Sequence, residues 1–467
     1  MPTIPNGYSL TQKGADVLNA IRNSASQDFR NFTQALTDAE SIRNFGAVIM
    51  QMPALQNEFL SVLWNRIAFA LVTSKIYRNH FAWAKKGLVA YGETVEEIFV
   101  NLVKVEDYAG ADFDNEPEAL LSRRIPDVRA AFHPLNYKKV YAVTTQKQDL
   151  KQAFLTENGV IDLIEKIIQA IFKSAAYDEE QCFKYLLGLH IVNGHLYPVV
   201  LDTSGAVDAD DAYKGCAAQI KAISNKLEFL SDTYNLAGVK TNSPKDDQYL
   251  IMNADFEAAQ GVRVLAYAFN EDRARYMGHT AIIDSFGDID TTRIAEIFAN
   301  DSTYQALTED QIEALKVIPA VLVDKDFFMI FDNELESSEV WNARKLYMNH
   351  FYHTWRTFSI SPFANAIVFV TDTPTVSAVA VTPATAETTP GVTLHFSAAV
   401  TTTNFAPQGV TWTVTGATSD DTYIDDHGNL YIGADEEGDS GDLTITATSV
   451  YDDEVDDSAV VTIVTGD

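Results

Sequence analysis

Between Val321 and Val370 the chain concentrates apolar and aromatic side chains: VLVDKDFFMIFDN, a short polar break, then RKLYMNHFYHTWRTFSISPFANAIVFV. Asp324-Lys325-Asp326 reads as a turn between the apolar runs Val321–Val323 and Phe327–Phe331. From Arg344 to Ser361 the aromatics Tyr347, Phe351, Tyr352, Trp355 and Phe358 fall on odd and even positions alike. Period-two alternation is therefore weak, and the spacing predicts a strand covered on both faces rather than a half-solvated one. At about 3.3 Å per residue it would extend on the order of 60 Å, far beyond the usual five or six residues. A ribbon of that length is expected to leave one subdomain and enter another.

Toward the N-terminus, residues 1–52 are polar with short helical patches such as DVLNAIRN, too poor in apolar side chains for a core of their own. They read as an arm lying along another surface. From Pro53, the residues Leu55, Phe59, Val62 and Leu63 recur at helical spacing, with the proline at a helix start where it is tolerated. Residues 78–132 carry β-like runs around a charged middle and little to pack as an independent core, which suits a long two-stranded arm. Twenty residues per leg would reach about 65 Å. An isolated hairpin is marginal in water, so this arm has to lie on something, and a second copy of the chain is the natural support.

Asn158-Gly159 opens a long helical pattern through Ile161, Ile164, Ile167, Ile171, Ala175, Cys182 and Leu186, and Asn193-Gly194 closes it with a C-cap signal. At 1.5 Å per residue this helix, over 158–193, would be about 50 Å long. Residues 200–340 mix KGCAAQIKAISNKLEFL, an amphipathic helix, with QYLIMNADF, read as strand then turn, and TAIIDSF, another strand. The region is α+β.

Beyond the aromatic ribbon the character changes. Arg356 is the last basic residue, and 17 carboxylates follow it unopposed by Lys or Arg, which marks a boundary near residues 371–375. In 375–467, Val392, Leu394, Phe396, Ala398 and Val400 alternate with polar residues, as do Val410, Trp412, Val414 and later Leu443, Ile445, Ala447. With turns such as Asp426-His427-Gly428-Asn429 at short intervals, this pattern predicts an all-β sandwich with Phe396, Trp412 and Ile445 in its core.

The formal net charge of −31 argues against a protein that coats nucleic acid, although an acidic shell can enclose DNA without gripping it. No apolar run reaches the ~20 residues of a membrane span, and MPTIPNGYSLTQKG has neither the basic nor the apolar part of a secretory signal. Cys182 and Cys216, the only cysteines, are expected to be reduced and buried. No catalytic, cofactor or metal site is expected. Gly438-Asp439-Ser440-Gly441 copies a serine-protease nucleophile motif but sits in an acidic turn without a positioned histidine. His350 and His353 are three apart in a strand and so face opposite sides, and the acidic clusters 435–442 and 452–457 miss the ordered calcium-loop pattern.

Several of these stretches carry a family resemblance. DKDFFMIFDN, YHTWRTFSISPFANAIVFV and GETVEEIF resemble the matching segments of the major capsid proteins of phi29-like podoviruses, in the same order along the chain. The resemblance implies an α+β HK97-type coat fold: an N-terminal arm (1–52) and a coat domain (53–374). Within that domain it implies an extended loop (78–132), a peripheral domain with spine helix (158–193), an axial domain (200–340) and a return strand (344–370). It further implies that the loop, with Lys85, Lys86, Gly92, Glu93, Glu96 and Glu97, overlaps the next subunit. Some such coats cross-link a loop lysine to a neighbour's asparagine, but nothing here specifies an isopeptide site, and charge pairing is expected for Lys85 and Lys86. TTRIAEIFANDSTYQALTEDQIEALKVI, 291–318, is longer than the family pattern and reads as a helical insertion. VTP, GVTLHFSAAV, VTWTV, GNLYIG and LTITATSV resemble the bacterial Ig-like group 2 module, BIG2. The implied function is self-assembly into an icosahedral or prolate phage head, from pentameric and hexameric capsomers, with scaffolding protein and portal as partners. Such a virion protein would assemble in the host cytoplasm and enclose double-stranded DNA without sequence-specific binding. Two other classes compete: a cell-surface adhesin carrying an Ig-like module, and a hydrolase using Ser440.

Overall fold

The computed structural model describes residues 14–69, 79–89, 94–103, 105, 126–155, 159–204, 206–265, 279–301, 304–436 and 442–464. It is mixed α and β, and its contacts divide it into two units. The first comprises 1–95, 133–183 and 329–358; the second comprises 96–132, 184–328 and 359–467.

In the first unit the N-terminal segment forms helices Gly14–Ser24, Gln27–Phe32 and Ala39–Gln51, followed by Pro53–Phe69. Ser26 caps the second helix by accepting from the Phe29 amide, and Asp38 with Ser41 makes a reciprocal capping box on the third. Their inward side chains, Leu18, Ile21, Phe29, Phe45 and Ile49, are buried with Phe59, Phe154 and Ile167. Phe45 meets Phe29, Phe59 and Phe154 edge-on at 6.0 to 6.3 Å. Gly46 permits this approach, since a Cβ there would stand 2.5 Å from the Cβ of Phe154. The surface on which this segment lies thus belongs to its own chain.

Beside this cluster runs a four-stranded sheet in the order Lys85–Leu88, Phe328–Asn342, Tyr347–Ile360, Tyr137–Gln146. Tyr347 to Arg356 pair antiparallel with Gln146 to Tyr137. No residue of Tyr347–Ile360 is exposed, as the two-sided aromatic pattern requires. The short strand Lys85–Leu88 departs from expectation: it pairs in parallel with Ile330–Asp332 inside this sheet instead of forming one leg of a free hairpin. His350 is buried, and burial holds its imidazole down to about 4, so it stays neutral at ordinary pH. His353 instead faces Ser338, with Nε2 3.0 Å from Oγ. Among the described residues no cluster of metal-ligating side chains occurs.

The helix Gly159–Val192 contributes its first 25 residues to this unit and its remainder to the second. Gly194, at φ +66°, ends it, with the Gly194 and His195 amides donating to the carbonyls of Ile191 and His190.

The second unit is built on a mixed five-stranded sheet, ordered Tyr197–Val200, Ala366–Val370, Ala320–Asp324, Gln248–Asn253, His279–Ile283. Both Ala320–Asp324 and Ala366–Val370 are buried throughout, which explains their unbroken apolar sequence. Cys216 and Ile220, from the helix Ala209–Lys226, pack on Leu322, Ile367 and Phe369. Both cysteines are free thiols, and burial pushes that of Cys182 well above its usual range. After Asn253 the chain enters a helix, Ala254–Leu265, where a turn was expected; the Asn253 carboxamide accepts the Asp255 amide at its start. Within 291–318 lie two capped helices, Thr291–Ile297 and Glu309–Lys316.

From Thr375 onward the described chain is all β: a pair (Thr375–Thr382 with Ser397–Thr403), a four-stranded sheet and a three-stranded sheet. Phe396, Leu430, Ile445, Ala459 and Val461 are fully buried between them, and Trp412 is partly buried against this cluster. Gly428, at φ +77°, is required here. Its turn is pinned by Asp425, which accepts from the His427 and Asn429 amides, and a Cβ would collide with the Phe396 carbonyl oxygen.

Candidate inter-subunit surface

Strands Thr94–Val100 and Val128–Pro134 pair as a two-stranded ribbon. Its two faces differ in what covers them. On the inner face Glu97 accepts from the Ser361 hydroxyl at 2.8 Å, and Phe99 stacks on Phe363 with ring centres 5.4 Å apart. Arg129 reaches the Ala237 carbonyl at 2.8 Å. The outer face carries Ile98 (61% exposed), Val100 (58%), Val128 (52%) and Phe132 (63%). Just beyond the strand, Leu102, Val103 and Val105 are more exposed still than Val128. Scattered apolar residues on a surface need no explanation, but several on one face of a thin ribbon make that face a candidate interaction surface.

The strand Lys85–Leu88 that precedes the ribbon is tied down by a closed ring of four charges within the first unit. Arg356 Nη2 lies 3.0 Å from Glu179 Oε2, and Arg356 Nε 2.8 Å from Asp332 Oδ1. Lys85 Nζ lies 3.2 Å from Glu179 Oε1 and 2.6 Å from Asp332 Oδ2. Each carboxylate therefore bridges both cations, and the ring is mostly shielded from water. Burial opposes the charge on Arg356, but Glu179 and Asp332 outweigh it and raise the guanidinium pKa. Around the ring the neighbouring acids of the long helix are matched in turn. Tyr141 donates to Asp178 at 2.8 Å, His80 contacts Glu180 through its amide and Nδ1, and Asn79 donates to Glu179 at 3.0 Å. Phe81 stacks flat on Phe183, centroids 4.1 Å apart.

Of the residues expected on the loop, Glu96 is exposed on the outer ribbon face, Glu97 faces Ser361, and Lys86 is exposed. Lys85 is held in the charge ring. Gly92 and Glu93 lie outside the described residues, as does Ser440. Sequence reasoning missed the ring itself and the outer apolar row. A signal for the first was present: Arg356 is the one Lys, Arg, Asp or Glu in the aromatic strand Tyr347–Ile360, and such a charge is buried only when paired.

Residues 18–370 match the family model described as Phi29-like phage major capsid protein. The chain is 34% identical to the major capsid protein of Bacillus phage B103, over 93% of its own length and 89% of that protein. It is 32% identical to the major capsid protein of Bacillus phage PZA, with the same coverage. Because these alignments span 93% of the chain, they include a good part of the residues beyond 370. A solved structure titled as the capsid structure of Staphylococcus phage Andhra aligns at 13% identity with a TM-score of 0.49, covering 65% of this chain and 87% of that one. No described helix is long and apolar enough to cross a membrane. By family model and by relatives alike, the chain belongs to the Phi29-like phage major capsid protein family, whose members are structural proteins of the phage virion.

Proposed function

We propose that copies of this chain close into the icosahedral or prolate shell of a phage head, and that the ribbon is the element by which one copy overlaps the next. The observation that carries this reading is the outer apolar row, Ile98, Val100, Val128 and Phe132, on a ribbon whose inner face is already satisfied. A second copy is the occupant the family supplies. Each contact is modest, but a closed lattice sums many of them, and loss of one subunit breaks several together.

The domain assignment that fits is the HK97-type one. It takes 1–52 as an arm, 53–374 as the coat domain with the extended loop at 78–132 and the spine helix at 158–193, then 200–340 as the axial domain and 344–370 as the return strand. Residues 375–467 form an Ig-like appendage of BIG2 type on the outer face; the fully buried Phe396 and Ile445 between its sheets support that reading. Pentameric and hexameric capsomers, a scaffolding protein and a portal complete the assembly. Double-stranded DNA is enclosed without being gripped, in keeping with the −31 net charge. The adhesin reading loses its support with the family match, and the hydrolase reading rests on Ser440 alone. Negative-stain microscopy of the purified full chain, with scaffold supplied if required, tests the proposal. Uniform shells or capsomers are expected, and a monodisperse monomer under every assembly condition overturns it.

A further inference from the structure

At the C-terminal end of the long helix, within the second unit, a cleft of about 770 Å³ opens between that helix end and the all-β region. Its walls are fixed by close backbone approach: a Cβ on Gly194 would stand 2.5 Å from the Ala406 carbonyl oxygen and 2.9 Å from Pro407 Cα. Gln408 Nε2 reaches the Val192 carbonyl at 3.4 Å. Three tyrosines line it. Tyr234 stands edge-on to Tyr197, ring centres 5.4 Å apart, and Tyr451 faces Tyr197 at 6.5 Å. Among the described residues, the hydroxyls of these three tyrosines make no hydrogen bond.

The remaining polar lining is made largely of amides. Asn193 Nδ2 donates to Gln305 Oε1 at 3.3 Å, which leaves an amide oxygen on Asn193 and an amide NH₂ on Gln305. Gln408 keeps its own amide oxygen. Among the described residues no Lys or Arg lines the cleft, so they offer no cationic fork for a phosphate or carboxylate. Among the described lining residues Asp232 is the one carboxylate, 4.0 Å from Lys240. Among the described residues the aliphatic lining is confined to Leu236, Pro407 and Val450, too little to hold an apolar ligand.

We propose that this cleft binds a neutral saccharide. Tyrosine faces pack against the C–H face of a sugar ring, while paired amide donors and acceptors match adjacent hydroxyls, and an uncharged ligand suits a chain of net charge −31. The volume fits two or three sugar rings.

Saturation-transfer NMR on the full chain, with maltotriose, cellotriose and chitotriose as probes, tests this. At least one trisaccharide is expected to receive saturation on its ring protons. Tyr451→Ala and Gln408→Ala should each weaken binding about tenfold or more, while Tyr423→Ala, which removes an exposed tyrosine of the Tyr423–Tyr431 stack away from this cleft, should leave it unchanged. Gln408 is exposed, so its variant keeps the test valid if Tyr451→Ala lowers the unfolding midpoint. The proposal falls if none of the three sugars binds up to ~10 mM, or if binding survives both cleft variants. It also falls if Tyr451→Ala blocks shell formation while no sugar binds, because the cleft would then be a protein-docking surface.

Discussion

Arg356→Met is expected to destabilise the unassembled chain by about 3–5 kcal/mol, the range for removing one partner of a buried ion pair. The cost comes from what is left behind. Glu179 and Asp332 would share Lys85 alone, two carboxylates out of water with one cation between them. Lys85→Met should cost less, because Lys85 retains 19% of its side-chain exposure against 6% for Arg356. The double variant Arg356→Met with Glu179→Leu keeps the Lys85–Asp332 pair and should be clearly more stable than the sum of its single variants predicts. Denaturant unfolding of the four proteins measures this cycle. Additive single effects would mean that the four charges do not act as a ring.

Ile98→Ser together with Phe132→Ser should have its largest effect on assembly and almost none on the fold. Both side chains are more than half exposed, so each change is expected to alter unfolding free energy by no more than about 0.5 kcal/mol. In a shell they would lose about 3 kcal/mol of apolar burial per subunit. That raises the concentration at which shells form by about a hundredfold or more. Light scattering across a concentration series, beside an unfolding curve, separates the two effects. A variant that unfolds early or assembles normally contradicts the assignment of this face.

Much of the fold was legible because its signals are local. The helix Gly159–Val192 announces itself by apolar spacing and by Asn193-Gly194, whose glycine takes the positive φ that ends it. The two-sided aromatics of 347–358 gave away a strand with no exposed residue. The N-terminal helices were harder, since Leu18, Phe29 and Phe45 find partners in Phe59, Phe154 and Ile167, and no local window contains both halves of that core. The charge ring was hidden for the same reason: Lys85, Glu179, Asp332 and Arg356 come from four separate stretches of chain. On the ribbon, Thr94–Val100 has apolar side chains on both faces, Phe99 inward and Ile98 and Val100 outward. That blurs the alternation by which a strand's solvent face is usually recognised. The positions of Ser361, Phe363 and Ala237, all distant in sequence, reveal which face is already covered.

Hydroxyl-radical footprinting of the ribbon, in unassembled chain and in isolated particles, is the most direct test of how these copies meet. Strong protection of Ile98, Val100, Val128 and Phe132 on assembly is the result expected, with Phe99 shielded in both states. Equal labelling of the outer four before and after assembly would mean that neighbouring copies join through some other surface.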